Sequence, residues 1–174
     1  EKERVNVEMV HIAALLHDIL DEKLFSNLSE LKIELVEFLR SLSIESTDIN
    51  KIIYIIENVG FKGGNGSEMK YIEGRIIQDA DRLDALGAIG IARTFMYSGA
   101  KGQSMYDPTI PVRNEMSYEQ YRNEKSTAVN HFYEKLLKLK ETLHTESAKE
   151  IAQKRHQFLE EFLTQFHGEW EARL

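Results

Sequence analysis

Only two prolines occur in this chain, Pro108 and Pro111, and both lie in one short stretch, so nothing outside that stretch carries the ring that breaks a helix. Apolar residues elsewhere recur at three- and four-residue steps, the period of a helix with one buried face. Val7, Val10, Ile12, Ala14, Leu15 and Leu16 predict a first, buried helix that runs into His17 and Asp18. Ser29 is the expected cap of a second helix carrying Leu31, Leu35, Phe38, Leu39 and Leu42, with a turn over 41–46. Thr47 or Asp48 would cap a third. Its run Ile52, Ile53, Tyr54, Ile55 and Ile56 would also suit a strand, but 48–58 is long for one, and helix is the preferred reading. The glycine-rich segment 60–66 must be a loop. Ser67 then caps the longest predicted helix, 68–97, burying Ile72, Ile76, Leu83, Leu86, Ile89 and Ile91 and closed by Gly99. The proline-bearing loop over 100–114 is long enough to cover a site. Two more helices, 117–143 and 146–173, complete an all-α expectation: a compact helical bundle forming one domain over 1–174.

Composition narrows the chemistry. There is no cysteine, so a metal could be held only by His nitrogen and carboxylate oxygen, and no disulfide framework exists. The formal charge is 22 − 29 = −7, which repels nucleic acid and acidic membrane surfaces, and an anionic substrate would need a cation in its site. No apolar run approaches a membrane span, and no leader pattern opens the sequence. These features fit a cytoplasmic protein without nucleic-acid or membrane partners. Residue 1 is Glu rather than Met, and the expectation is a native chain that begins further upstream.

Two segments concentrate polar groups that apolar surroundings do not explain. Ala13-Ala14-Leu15-Leu16-His17-Asp18-Ile19 ends an apolar run with an imidazole and a carboxylate side by side, where one cation could bridge both. The plainer reading, a core histidine beside a capping aspartate, carries equal weight on this segment alone. Gln78-Asp79-Ala80-Asp81-Arg82-Leu83-Asp84-Ala85-Leu86-Gly87 places three carboxylates in an otherwise apolar helix, costly to bury unless paired or metal-bound. Asp81 and Asp84 share a face, while Asp79 points elsewhere.

Together the two segments resemble the HD superfamily, whose pattern is an early His, then His-Asp, then a later Asp on one divalent metal. Within it the sequence is similar to the bacterial YpgQ/YedJ-like group, a likeness that extends to Asn130-His131-Phe132-Tyr133-Glu134-Lys135-Leu136-Leu137 and to the last helix. The resemblance implies an α-helical HD-domain phosphohydrolase, a nucleotide pyrophosphohydrolase converting nucleoside triphosphates to monophosphate and pyrophosphate. It implies His17, Asp18 and Asp81 as metal ligands. The family's first metal-binding His should lie well upstream of His17, and this chain lacks that segment, so a weakened metal site is expected. His11 is a poor substitute, because six helical positions rotate it about 240° from His17. No His lies between Asp18 and Asp81, which favours one metal over two. Mixed nitrogen and oxygen ligation suits manganese, with nickel, iron, cobalt or magnesium as alternatives.

Hydrolysis also needs a base near the attacking water and cations for the phosphates. Asp21 and Glu22, one turn after His17-Asp18, are candidates for the base, and for Glu22 a merely solvated acidic turn weighs as much. Lys23, Lys62, Arg82 and Lys135 are candidates for phosphate oxygens, Lys23 and Lys135 ahead of Lys62, and Arg82 could instead pair with Asp79 or Asp84. His131 lies four residues from Lys135 on one helical face, and both, with Asp84, complete the substrate-binding set. The partner is thus a small-molecule nucleotide, and a homo-oligomer stays open. A phosphomonoesterase on nucleoside monophosphates and a catalytically inactive nucleotide-binding module are the alternatives. A purely structural bundle accounts worst for the carboxylates at 79–84.

Overall fold

All regular structure among the described residues of the computed structural model, 5–21, 24–61, 68–114, 117, 119–120 and 124–173, is helical. These residues group into two units, 1–78 and 79–174. The first holds α1 (Val7–Leu16), α2 (Leu28–Ser41), α3 (Ser46–Asn58) and the opening turns of α4 (Ile72–Asp84). The isoleucine run of α3 is helical, and Ile49, Ile52, Ile53, Ile55 and Ile56 are all buried because α1 and α2 both pack against it. Met9 and Ala13 of α1 and Leu35 and Leu39 of α2 complete this core. Asn6 starts α1 by accepting the N–H of Met9 at 3.1 Å, and its own N–H donates to Glu73 at 2.9 Å.

Several local expectations are corrected here. The first helix is not buried as a whole: within unit 1 it offers Met9 and Ala13 to the core, while Val7 is exposed and Leu15 is 86% exposed. Ser29 lies inside α2, which begins one residue earlier with Asn27 in the cap position, and Glu45, not Thr47 or Asp48, precedes α3. Ser67 lies outside the described residues. Residues 68–70 are not helical, so α4 starts at Ile72, and buried Met69 fills the space where a Cβ on Gly74 would stand.

The second unit contains the end of α4, then α5 (Gly87–Ala100), a helical run over 128–139 that we call α6, and α7 (Glu146–Trp170). The long helix expected over 68–97 breaks after Asp84. Leu86 is extended, and Gly87 takes φ +73°, a left-handed conformation that costs an L side chain about 1–2 kcal/mol. Its partner across the break is Arg155, whose Cγ would stand 3.1 Å from a Cβ at Gly87. Ile89, expected inside, is exposed beyond that break. The helix expected over 117–143 is not continuous: residues 119 and 120 are helical, 125–127 are not, and a helix starts at Ala128, where the Thr127 hydroxyl accepts the Asn130 N–H at 3.0 Å. α6 is also not a regular helix: an α turn (Ala128–His131) passes into a π segment (Phe132–Leu136) before Leu137–Leu139. Phe132 stacks on Phe162 of α7 with ring centroids 5.5 Å apart, and Phe95 of α5 meets both. Leu136, Leu139, Leu159 and Leu163 fill the rest of the core, whereas Ile151 and Phe158 are exposed. Among the described residues no helix is long and apolar enough to cross a membrane.

Gly87→Ala should therefore lower the unfolding free energy by about 1–2 kcal/mol, the cost of a left-handed alanine, with crowding by Arg155 adding to it. Urea denaturation measures this, and an unchanged midpoint would show that the break between α4 and α5 does not depend on glycine.

Candidate functional site

His17 and Asp18 follow α1 directly, at the end where unpaired carbonyls leave partial negative charge and where the last turn carries no basic residue. The carbonyl of Ala14 can only accept, so His17 Nδ1, 2.7 Å away, is the protonated nitrogen. In the neutral ring Nε2 would carry the lone pair, and it faces Asp18 Oδ2 at 3.2 Å. An imidazole nitrogen and a carboxylate oxygen that close, at the negative end of a helix, are donors of the kind a hard or borderline cation accepts, and the Ala14 carbonyl holds the ring orientation. Both side chains remain accessible, 31% for His17 and 63% for Asp18. Two donors of the types a divalent ion takes are thus present side by side. Asp21 lies one turn on, its N–H donating to the Asp18 carbonyl at 3.0 Å. Glu22, Lys23 and Lys62 lie outside the described residues.

The end of α4 separates its carboxylates by task. Asp79 is the buried one, 3% exposed, and both its oxygens are occupied: Oδ1 accepts the His144 N–H, and Oδ2 accepts the N–H and the hydroxyl of Thr145, all at 2.8 Å. Thr145 in turn caps α7 by accepting the Ala148 N–H at 3.3 Å. Arg82, one turn after Asp79, donates Nη1 to the Thr142 carbonyl and to His144 Nε2, the latter at 3.1 Å. Burial lowers its pKa from the usual guanidinium value, with the charges of Asp79 and Asp81 opposing that shift. Asp81 and Asp84 are exposed, and Asp84 pairs with Arg93 of α5. The expectation of a buried carboxylate cluster is therefore corrected to one buried aspartate, satisfied by hydrogen bonds, and two exposed ones. Among the described residues no three His, Asp or Glu side chains are grouped as a metal site would require.

His131 and Lys135 both lie on α6, half-buried, with His131 closing its α turn and Lys135 inside the π segment. Between them Glu134 points inward, 3% exposed, and accepts from Arg113 Nε at 2.8 Å, Arg113 Nη2 at 2.6 Å, the Arg113 N–H at 3.2 Å and the Ser126 hydroxyl at 3.0 Å. Burial alone would raise the Glu134 carboxyl, but these hydrogen bonds and the Arg113 charge together outweigh it and hold the group below the usual carboxylate range. The same bonds raise the Arg113 guanidinium. Asn130 and Lys138, at four-residue steps from Glu134, donate to the carbonyls of Ile110 and Pro111 and of Asn114. The first N–H groups of α6, at Ala128 and Val129, reach the carbonyls of Ser104 and Met105. The loop that the sequence marked as a cover is strapped along α6 by this seam. Sequence reasoning missed Arg113 and Glu134. The signal for Glu134 was an acid amid Val129, Phe132 and Leu136, but nothing marked its partner across the loop.

Comparison with known proteins gives the family. The HD domain family matches residues 1–86, a span that contains His17, Asp18 and Asp81. YpgQ of Bacillus subtilis is 36% identical over 167 residues, covering 95% of this chain and 74% of YpgQ. The structure of YpgQ in complex with ADP superposes with a TM-score of 0.73, at 35% identity over 97% of this chain and 79% of that one. A crystal structure of a Lactobacillus plantarum protein gives a TM-score of 0.87 at 42% identity over 97% of this chain and 78% of the other. An HD-superfamily hydrolase from Bacillus thuringiensis gives 0.71 at 43% identity, over 98% and 78%. The chain belongs to the HD superfamily of hydrolases, in its YpgQ-like group.

The Arg113–Glu134 pair carries a measurable stability. Arg113→Met takes the cation and two of the hydrogen bonds from a buried carboxylate and should cost about 3–5 kcal/mol in urea or thermal unfolding. Because the folded-state pKa of Glu134 lies below its ordinary 4.5, the pair's contribution is present above that value and is lost as pH falls through the lower, folded one. Acid unfolding below about pH 4.5 should accordingly be steeper in the wild type than in Glu134→Gln, and equal slopes would contradict the assignment.

Proposed function

We propose that this chain hydrolyses nucleotide phosphoanhydrides, cleaving a nucleoside triphosphate between the α and β phosphates to give a monophosphate and pyrophosphate. His17, Asp18 and Asp81 are the proposed ligands of one divalent cation, manganese by preference. The observation that carries the reading is His17 Nε2 set 3.2 Å from Asp18 Oδ2 at the negative end of α1, inside the span matched by the HD family. A bound divalent ion supplies charge neutralisation for phosphate and acidifies a water molecule.

The chain's own residues supply the rest. His17 is held in one tautomer by Ala14, and Asp21, one turn further, is the proposed base that takes the proton from the attacking water. Lys135 and His131 are proposed to contact phosphate oxygens, with Lys23 and Lys62 as further cations for a polyanion. Arg82 donates to the Thr142 carbonyl and His144, and Asp84 pairs with Arg93, which supports bracing roles for these two. A protein of net charge −7 needs several such cations to hold a triphosphate, and the binding of ADP by YpgQ supports a nucleotide with more than one phosphate.

Products decide between this reading and a phosphomonoesterase. Incubation with manganese and a nucleoside triphosphate, followed by chromatography, should give monophosphate and pyrophosphate. Orthophosphate released from monophosphates with triphosphates untouched would overturn the proposal, and binding without turnover would favour a regulatory module. Lys135→Ala should mainly raise KM through lost phosphate binding, whereas Asp21→Asn should mainly lower kcat, since a base acts only as the nucleophile forms.

A further inference from the structure

We infer that Asp79 is a positioning residue that fixes the end of α4 and so sets the place of Asp81, an inference that rests on Asp81 being a metal ligand as proposed above. In a helix, residues 79 and 82 lie within about 60° of each other, while 81 is rotated about 160° from 79. The contacts follow that division. Asp79 and Arg82 both face the segment 142–145, and Asp81 is exposed.

Three donors meet Asp79: the N–H groups of His144 and Thr145 and the Thr145 hydroxyl. All three are donors, so the site accepts a carboxylate with two accepting oxygens and disfavours an amide, whose NH2 would face an N–H. Thr145 passes the constraint on by capping α7, a helix of 25 residues. Arg82 adds a second tie at the Thr142 carbonyl, and Arg155 of α7 donates to the Leu83 carbonyl at 2.6 Å. The last turn of α4 would otherwise end freely at the break before Gly87. With these ties it is held to the start and middle of one long helix. A ligand carboxylate must sit within about 0.5 Å of its productive position, so restraint two residues away acts on affinity as well as on stability.

Calorimetric titration with Mn2+ alone, well below the unfolding temperature, tests this. Asp79→Asn should raise the Mn2+ dissociation constant about 10- to 100-fold while circular dichroism stays helical. Glu134→Gln is the comparison: it removes a buried carboxylate from the other cluster, and should lose thermal stability without losing Mn2+ affinity. Wild-type affinity in Asp79→Asn overturns the inference, provided Asp81→Asn has lost affinity. Equal affinity in wild type and Asp81→Asn, or no Mn2+ binding by either, instead overturns the ligand assignment and this inference with it. Should Asp79→Asn not fold, Thr145→Val removes one of the three donors and should still give a severalfold rise, and no rise would overturn the inference.

Discussion

A carboxylate buried in a protein costs several kcal/mol unless its oxygens find donors, and Asp79 meets that demand with the first backbone N–H groups before α7. The arrangement serves both partners. Residues 144 and 145 gain acceptors for N–H groups that no helix supplies, and the carboxylate stands near the positive end of a helix. Much of the second unit follows from it, because α7 provides the apolar face against which Phe95 and Phe132 pack, and Asp79 holds the segment from which α7 starts. Glu134 repeats the device: a buried acid on α6 gathers the side chain and N–H of Arg113 and the hydroxyl of Ser126, and so fixes a long loop.

The repeated spacing of apolar residues was enough to read the helices, because their type depends on a local period. In the isoleucine run of α3, which would also suit a strand, the length of the segment and not its spacing favoured the helix that forms. The break after Asp84 was not legible, since Gly87 reads as one more small residue among Ala85, Ala88 and Gly90 until its φ of +73° and its contact with Arg155 are known. Nor was the π segment, which lies where Glu134 turns inward to a partner 21 residues away. The strongest discrepancy concerns exposure. The period identifies a face but not its partner, so Leu15 and Ile89 were expected inside and are exposed.

The candidate site divides in the same way. His17-Asp18 and Asp81 were read as a motif through their resemblance to the HD pattern, and the HD match over 1–86 spans all three positions. Which of the three aspartates in 79–84 would be buried was not legible. That choice depends on donors at 144 and 145, and sequence spacing carries no information about them. The same holds for the His17 ring, whose Nδ1 meets a carbonyl within α1, and for Arg82, which reaches the Thr142 carbonyl 60 residues away.

The central claim is that His17, Asp18 and Asp81 together bind the cation on which hydrolysis depends. Electron paramagnetic resonance of the manganese-loaded protein, with histidine labelled by nitrogen-15, reads that coordination directly. The account predicts a hyperfine coupling to one imidazole nitrogen that disappears in His17→Ala. A manganese signal without nitrogen coupling, or one that persists unchanged in His17→Ala, would contradict it.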